Sequence, residues 1–128
     1  MSNTAVASTH KRIVEQANAA FANNNMEGFL DLCTENLEWT MVGESTVRGK
    51  KAIREWMKSM DPGTPVIKVE QIAVEGDYAF CCGSLKMKDK DGREAPFDYC
   101  DVYRFQGDRI VALKAFLIKA EQQAAKPR

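Results

Sequence analysis
Apolar residues recur in two periods along this chain of 128 residues, first every three to four positions and then every two. Between about Thr9 and Asn23, Ile13, Val14, Ala17 and Phe21 fall on one stripe, the spacing of an amphipathic helix. Asn23-Asn24-Asn25 ends the stripe, and Asn25 is placed to cap a second, short helix from Met26 to about Cys33. Leu37 to Val42 alternates and predicts a first strand, followed by a loop from Gly43 to Gly49. A third helix is predicted from Lys50 to Met60, with Ile53, Trp56, Met57 and Met60 on its buried side and Asp61-Pro62-Gly63 as its stop.

Beyond that point the period is two. Strands are predicted at Val66–Val74, Tyr78–Lys88, Glu94–Phe105 and Arg109–Lys119, separated by Glu75-Gly76-Asp77, Asp91-Gly92 and Gly107-Asp108. The polar tail from Ala120 to Arg128 is expected to fray. Helix, helix, strand, helix and a four-strand meander predict one α+β domain spanning 1–128, with its core at about 9–119. The three N-terminal helices are expected to pack in the concave face of a curved, largely antiparallel sheet.

The alternation also assigns faces. A two-residue turn at Asp91-Gly92 sets Ser84 against Tyr99, Cys82 against Asp101 and Phe80 against Tyr103, and opposed residues share a face. The charge-free side of the last strand, Val111, Leu113, Ala115 and Leu117, is assigned to that same interior, which requires a bulge near Gly107-Asp108. The other face, with Cys81, Leu85, Met87, Cys100, Val102, Phe116 and Ile118, is also too apolar to stay wet. One helical layer covers only one side, so a homodimer through the outer sheet face is expected.

Composition narrows the partners. Eighteen acidic residues balance eighteen basic ones, so the net charge gives no pull towards nucleic acid or an anionic membrane. No window approaches a membrane span, and the N-terminus lacks a basic start followed by an apolar run, so a cytoplasmic protein is expected. The four cysteines, Cys33, Cys81, Cys82 and Cys100, follow no metal-ligand spacing and read as free thiols; no metal or cofactor is expected.

Candidate chemistry centres on Asp101. It interrupts the stripe Phe97, Tyr99, Tyr103 and Phe105, and a buried carboxylate is costly unless its proton affinity rises or it gains partners. Either Asp101 is a pocket acid that shuttles a proton, or it is a structural acid bonded to Tyr99, Tyr103 or a backbone amide. Tyr99, Tyr103, Phe80, Cys82, Ser84, Leu113 and Leu117 are expected around it, with Trp39, Met41, Trp56 and Met60 as core or adaptable pocket wall. Nothing near Cys82 predicts a nucleophile. His10, the only histidine, reads as a surface residue.

The segments Asn25-Met26-Glu27-Gly28-Phe29-Leu30, Gly49 to Trp56, and Asp101-Val102-Tyr103-Arg104-Phe105 give the chain a family likeness. In order and spacing it resembles the SnoaL-like branch of the nuclear transport factor 2-like superfamily, which includes ketosteroid isomerases, polyketide cyclases and limonene-epoxide hydrolases. The resemblance implies a cone-shaped α+β barrel with a pocket between helices and sheet, often in a dimer. It places the isomerases' general base at Met41 or Trp39, their oxyanion-hole tyrosine at Ala17 and a supporting tyrosine at Met57. Only Asp101 matches, at the protonated oxyanion-hole aspartate; ketosteroid isomerase is itself the standard instance of a carboxylic acid kept neutral by an apolar site. Without a first-strand base, ketosteroid isomerisation is not expected. What remains is a pocket for a small apolar molecule, with proton-transfer chemistry on a carbonyl compound through Asp101, or a non-enzymatic carrier or structural dimer.

Overall fold
The structure of the chain is a computed structural model that describes residues 3–59 and 65–120. Met60, the Asp61-Pro62-Gly63 stop and the tail beyond Ala120 lie outside the described residues. Among the described residues there are three helices, α1 (Asn3–Ala22), α2 (Met26–Leu30) and α3 (Lys50–Lys58). Six strands accompany them: β1 (Cys33–Met41), β2 (Ser45–Arg48), β3 (Val66–Glu75), β4 (Tyr78–Lys88), β5 (Glu94–Gln106) and β6 (Arg109–Lys119). They form one sheet in the order β2-β1-β6-β5-β4-β3, antiparallel except where β1 lies parallel to β6. The expected α+β class, with helices against one curved mixed sheet, is what the chain adopts.

Local sequence explains most element ends. The α1 stripe packs inward, with Ile13, Val14 and Ala17 buried. Asn25 Oδ1 accepts from the Gly28 amide at 3.0 Å and so caps α2 as expected. A two-pronged ion pair, Arg54 Nε and Nη2 on Glu27 at 2.7 and 3.0 Å, ties α3 to α2. Two expectations change: the chain is extended from Cys33 rather than from Leu37, and the expected loop after β1 contains the short strand β2. β2 extends the sheet by pairing with β1, Trp39 opposite Val47, so its partner rather than its own sequence pattern makes it a strand.

The larger correction concerns the face of β4. The β4–β5 turn is longer than two residues: the Asp89 amide donates to the Arg93 carbonyl at 2.8 Å, and Gly92, at φ 81°, follows in the left-handed region. Asp89 Oδ1 also accepts from the Asp91 and Arg93 amides. That three-residue loop between a closing pair shifts the register by one and flips every β4 side chain. Cys81 therefore opposes Asp101, Gly83 opposes Tyr99, and Ala79 opposes Tyr103. Phe80, Cys82 and Ser84 stand on the outer face, whereas Cys81, Leu85 and Met87 face the helices.

The bulge required on the last strand is present. Gln106 pairs with Arg109 across Gly107-Asp108, and the register then shifts between Arg104 and Phe105. Beyond it Leu113, Ala115 and Leu117 oppose Tyr103, Asp101 and Tyr99. The outer face keeps Tyr78, Phe80, Phe116 and Ile118 exposed, Ile118 by 68%.

Candidate functional site
Between the helices and the concave sheet lies a cavity of about 170 Å³. β1 contributes Trp39 and Met41, α3 contributes Trp56 and Met57, and α1 contributes Asn18 and Phe21. Ile67, Leu85, Met87, Tyr99, Asp101, Leu113, Ala115 and Leu117 form the sheet side. Asn24 and Asn25, both exposed, stand at its edge. The aromatic wall is interlocked: Trp39 meets Trp56 edge-on at 5.5 Å and Phe29 edge-on at 5.3 Å, and Phe21 tilts against Trp39 at 5.8 Å.

Asp101 is the acid in this wall. It lies at the centre of β5 between Cys81 on β4 and Ala115 on β6, two small neighbours that leave room around its carboxyl. Among the described residues, no hydrogen bond or cation reaches that carboxyl. Burial alone pushes its pKa up to about 7, because the charged form loses water and gains nothing in exchange. The exposure that the residue keeps opens onto the cavity it lines.

Three of its polar neighbours, Asn18, Cys81 and Tyr99, bond to one another. Asn18 Nδ2 donates to Cys81 Sγ at 3.3 Å, and Cys81 Sγ and the Tyr99 hydroxyl lie 3.7 Å apart in a second weak bond. Burial pushes both the Cys81 thiol and the Tyr99 phenol above their usual ranges, so neither supplies an anion near neutral pH. Tyr103 is fully buried, its hydroxyl lacks a partner, and burial and then the Asp101 charge hold its phenol well above normal. Trp39 Nε1 is likewise buried without a partner. Among the described residues no cluster of histidine, cysteine or carboxylate side chains is arranged to hold a metal ion.

Of the residues expected at the site, Asp101, Trp39, Met41, Trp56, Met57, Tyr99, Leu113 and Leu117 line the cavity. Ala17 and Tyr103 are buried and do not border it. Phe80, Cys82 and Ser84 are on the far side of the sheet because of the β4 register. Asn18, Leu85, Met87 and Ile67 were missed. Asn18 follows the buried Ala17 on α1 and could have been found from its place at the edge of the stripe. The β4 residues were legible only with the hairpin loop length in hand.

Comparison with known proteins adds the family. A family model described as a SnoaL-like domain matches residues 14–113. No curated protein matches the chain. Solved structures share its fold at low identity. An NTF2-like protein of unknown function from Cytophaga hutchinsonii is 23% identical, with a TM-score of 0.71 over 88% of this chain and 99% of that one. A protein assigned as a SnoaL-like polyketide cyclase from Jannaschia is 12% identical, with a TM-score of 0.78 over 91% and 90%. SalBIII, described as an epoxide hydrolase/cyclase-like enzyme in pyran ring formation in the polyether salinomycin, is 18% identical, with a TM-score of 0.76 over 86% and 91%.

Proposed function
The chain belongs to the SnoaL-like domain family, and from that premise we propose that it binds a small, mostly apolar carbonyl compound beside Asp101 and transfers a proton to or from it. The observation that carries this reading is the unpartnered Asp101 carboxyl, with its pKa near 7, in the wall of a largely apolar cavity. An acid so poised is divided between its two forms near neutral pH, where general acid–base catalysis is most effective. The neutral form donates to an oxygen that gains negative charge in the transition state; the anion takes the proton back. A cavity of about 170 Å³ is close to the engineered apolar cavity of about 150 Å³ that takes up benzene, which points to a ligand of one or two rings.

The structural neighbours described as a polyketide cyclase and an epoxide hydrolase/cyclase-like enzyme support acid chemistry at an oxygen. Met41 stands opposite Ala115, which in turn opposes Asp101, so the first strand supplies an apolar side chain where an isomerase of this family holds its base. Among the described residues the wall holds one carboxyl, so the reactions favoured are those in which it acts alternately as acid and base. The lack of a second such group equally supports a carrier that binds the same ligand without turnover.

Trp39 and Trp56 line the cavity, so ligand entry is read by tryptophan fluorescence with a panel of one- and two-ring ketones and enones. Catalysis requires turnover by the wild type and its loss in Asp101→Asn, with affinity kept within a few-fold. Binding by both forms without turnover establishes the carrier. Failure of the whole panel to bind sinks both.

The exposed Tyr78, Phe80, Phe116 and Ile118 support association of two copies through the outer sheet face. Phe116→Asp is expected to shift sedimentation from dimer towards monomer; an unchanged monomeric wild type removes this reading.

A further inference from the structure
Two of the four cysteines face each other on the outer side of the sheet, directly behind the pocket. Cys82 on β4 opposes Cys100 on β5, and both are partly exposed free thiols. The β4–β5 register runs without a shift from Tyr78 opposite Arg104 to Lys88 opposite Glu94, so nothing offsets the two side chains.

Backbone hydrogen bonds show which kind of pair this is. Pro96 has no N–H, and its carbonyl accepts from the Ala120 amide at 2.9 Å, so the polar backbone of residue 96 turns towards the β6 side. The strand repeats every two residues, which puts Asp98 and Cys100 in the same state. From the other end, the Phe105 amide donates to the Asp77 carbonyl at 2.7 Å, so the odd-numbered residues of β5 turn towards β4. Both routes make Cys82 and Cys100 a non-hydrogen-bonded pair, the kind whose side chains lie closer. Such pairs have a Cα separation of about 4.5 Å, at the short end of the range of about 4.4–6.8 Å that a disulfide spans. Burial and then the neighbouring Cys82 push the Cys100 thiol above its usual range, a sign that the two sulfurs lie within each other's field.

We propose that Cys82 and Cys100 form a reversible dithiol–disulfide site that pins β4 to β5 behind the pocket floor. The oxidant class is a peroxide. The Cys82 thiolate attacks a peroxide oxygen, forming a sulfenic acid and releasing hydroxide. The Cys100 thiol, which burial keeps protonated, attacks that sulfur, and the oxygen leaves with the thiol proton as water. Two thiols and one hydrogen peroxide thus become one disulfide and two waters. The disulfide sits one residue along each strand from the opposed pair Cys81 and Asp101, so it staples the strands at the level of the acid. Cys33 and Cys81 are fully buried and take no part. Pairing of two chains through this face would cover both thiols, so the oxidation belongs to the separated chain and slows as the chain is concentrated.

The test is oxidation of the full chain by hydrogen peroxide at high dilution, with thiol titration after unfolding, peptide mapping and non-reducing electrophoresis. The expected result is loss of two of the four thiols, one crosslinked peptide pair joining Cys82 to Cys100 within a monomer, and full recovery with dithiothreitol. Cys82→Ser and Cys100→Ser should each abolish the crosslinked species, whereas Cys33→Ala should leave it. A bond between Cys81 and Cys82, a disulfide between two chains, or four thiols that oxidise independently to sulfinic acids would overturn the proposal. This outcome is independent of whether the pocket turns over a substrate.

Discussion

The interior between helices and sheet is closed at one end and open at the other, and each end buries a titratable side chain. At the closed end His10 stacks on Phe105 with ring centroids 4.0 Å apart and places Nε2 3.0 Å from the Gly107 carbonyl. At the open end Asp101 has no such partner and borders a cavity. His10 is 1% exposed, so the surface position expected from sequence is corrected: it extends the α1 stripe of Ile13, Val14, Ala17 and Phe21 by one turn. Burial alone does not separate the two ends. His10 Nδ1 and the Tyr103 hydroxyl also lack partners, but both are sealed in packed surroundings. A candidate site needs an unpartnered polar group and space beside it; among the described residues Asp101 combines them, with Trp39, whose Nε1 also lacks a partner, in the same wall.

The largest expected effect tests that difference through pH. The Asp101 pKa is raised from 3.8 to about 7, so the fold holds this proton more tightly than the unfolded chain does. Its stabilising contribution is complete below about pH 4, falls as pH rises, and is gone above about pH 7. Asp101→Asn removes the charge and should exceed the wild type in stability by at most about 4 kcal/mol above pH 7, with little difference below pH 4. Urea unfolding at several pH values measures it; a difference that ignores pH would mean the carboxyl is not held in a dry wall. At the closed end Ile110, fully buried, gives the matching experiment. Ile110→Ala should cost about 3 kcal/mol by leaving a void in packed surroundings, without changing the Asp101 titration. A shift in that titration would join the two ends into one unit.

The open end was easier to read in the sequence than its floor. Asp101 stands out because one acid interrupts an aromatic stripe, and Trp39, Met41, Trp56 and Met57 follow from helical and strand periodicity. Register is a different kind of information. Asp91-Gly92 signals a hairpin, but Asp89 closes it by accepting from two amides with its side chain, and that added residue exchanges Cys82 for Cys81 and Phe80 for Ala79 on the face turned to the helices. The bulge near Arg104 was legible because the charge-free side of β6 demanded it, whereas β4 carries apolar residues on both faces and demands nothing. β2 was missed for a related reason, since Ser45 to Arg48 owe their strand to pairing with β1. The N-terminal half of α1 shows the opposite error: a lone histidine was read by its polarity, although its spacing already placed it on the buried stripe.

The smaller effects refine the contrast. His10→Phe keeps a ring against Phe105 and removes the part-buried bond to the carbonyl of Gly107, an exposed residue that water can reach. A loss of about 1 kcal/mol is expected, and fluorescence titration with a bound ketone should be unmoved. Met57→Ala is the reverse case at the open end. Met57 is only half-buried and faces the cavity, so part of its side chain already lacks packing partners. Alanine is also the better helix former, and α3 ends one residue later. Its stability cost should therefore stay below about 1 kcal/mol, against about 3 for Ile110→Ala. Ligand affinity should move instead: loss of one wall side chain worth about 1.4 kcal/mol of contact weakens binding about tenfold. A stability loss as large as that of Ile110→Ala, with affinity unchanged, would mean that the open end is ordinary core and that the space beside Asp101 serves no ligand.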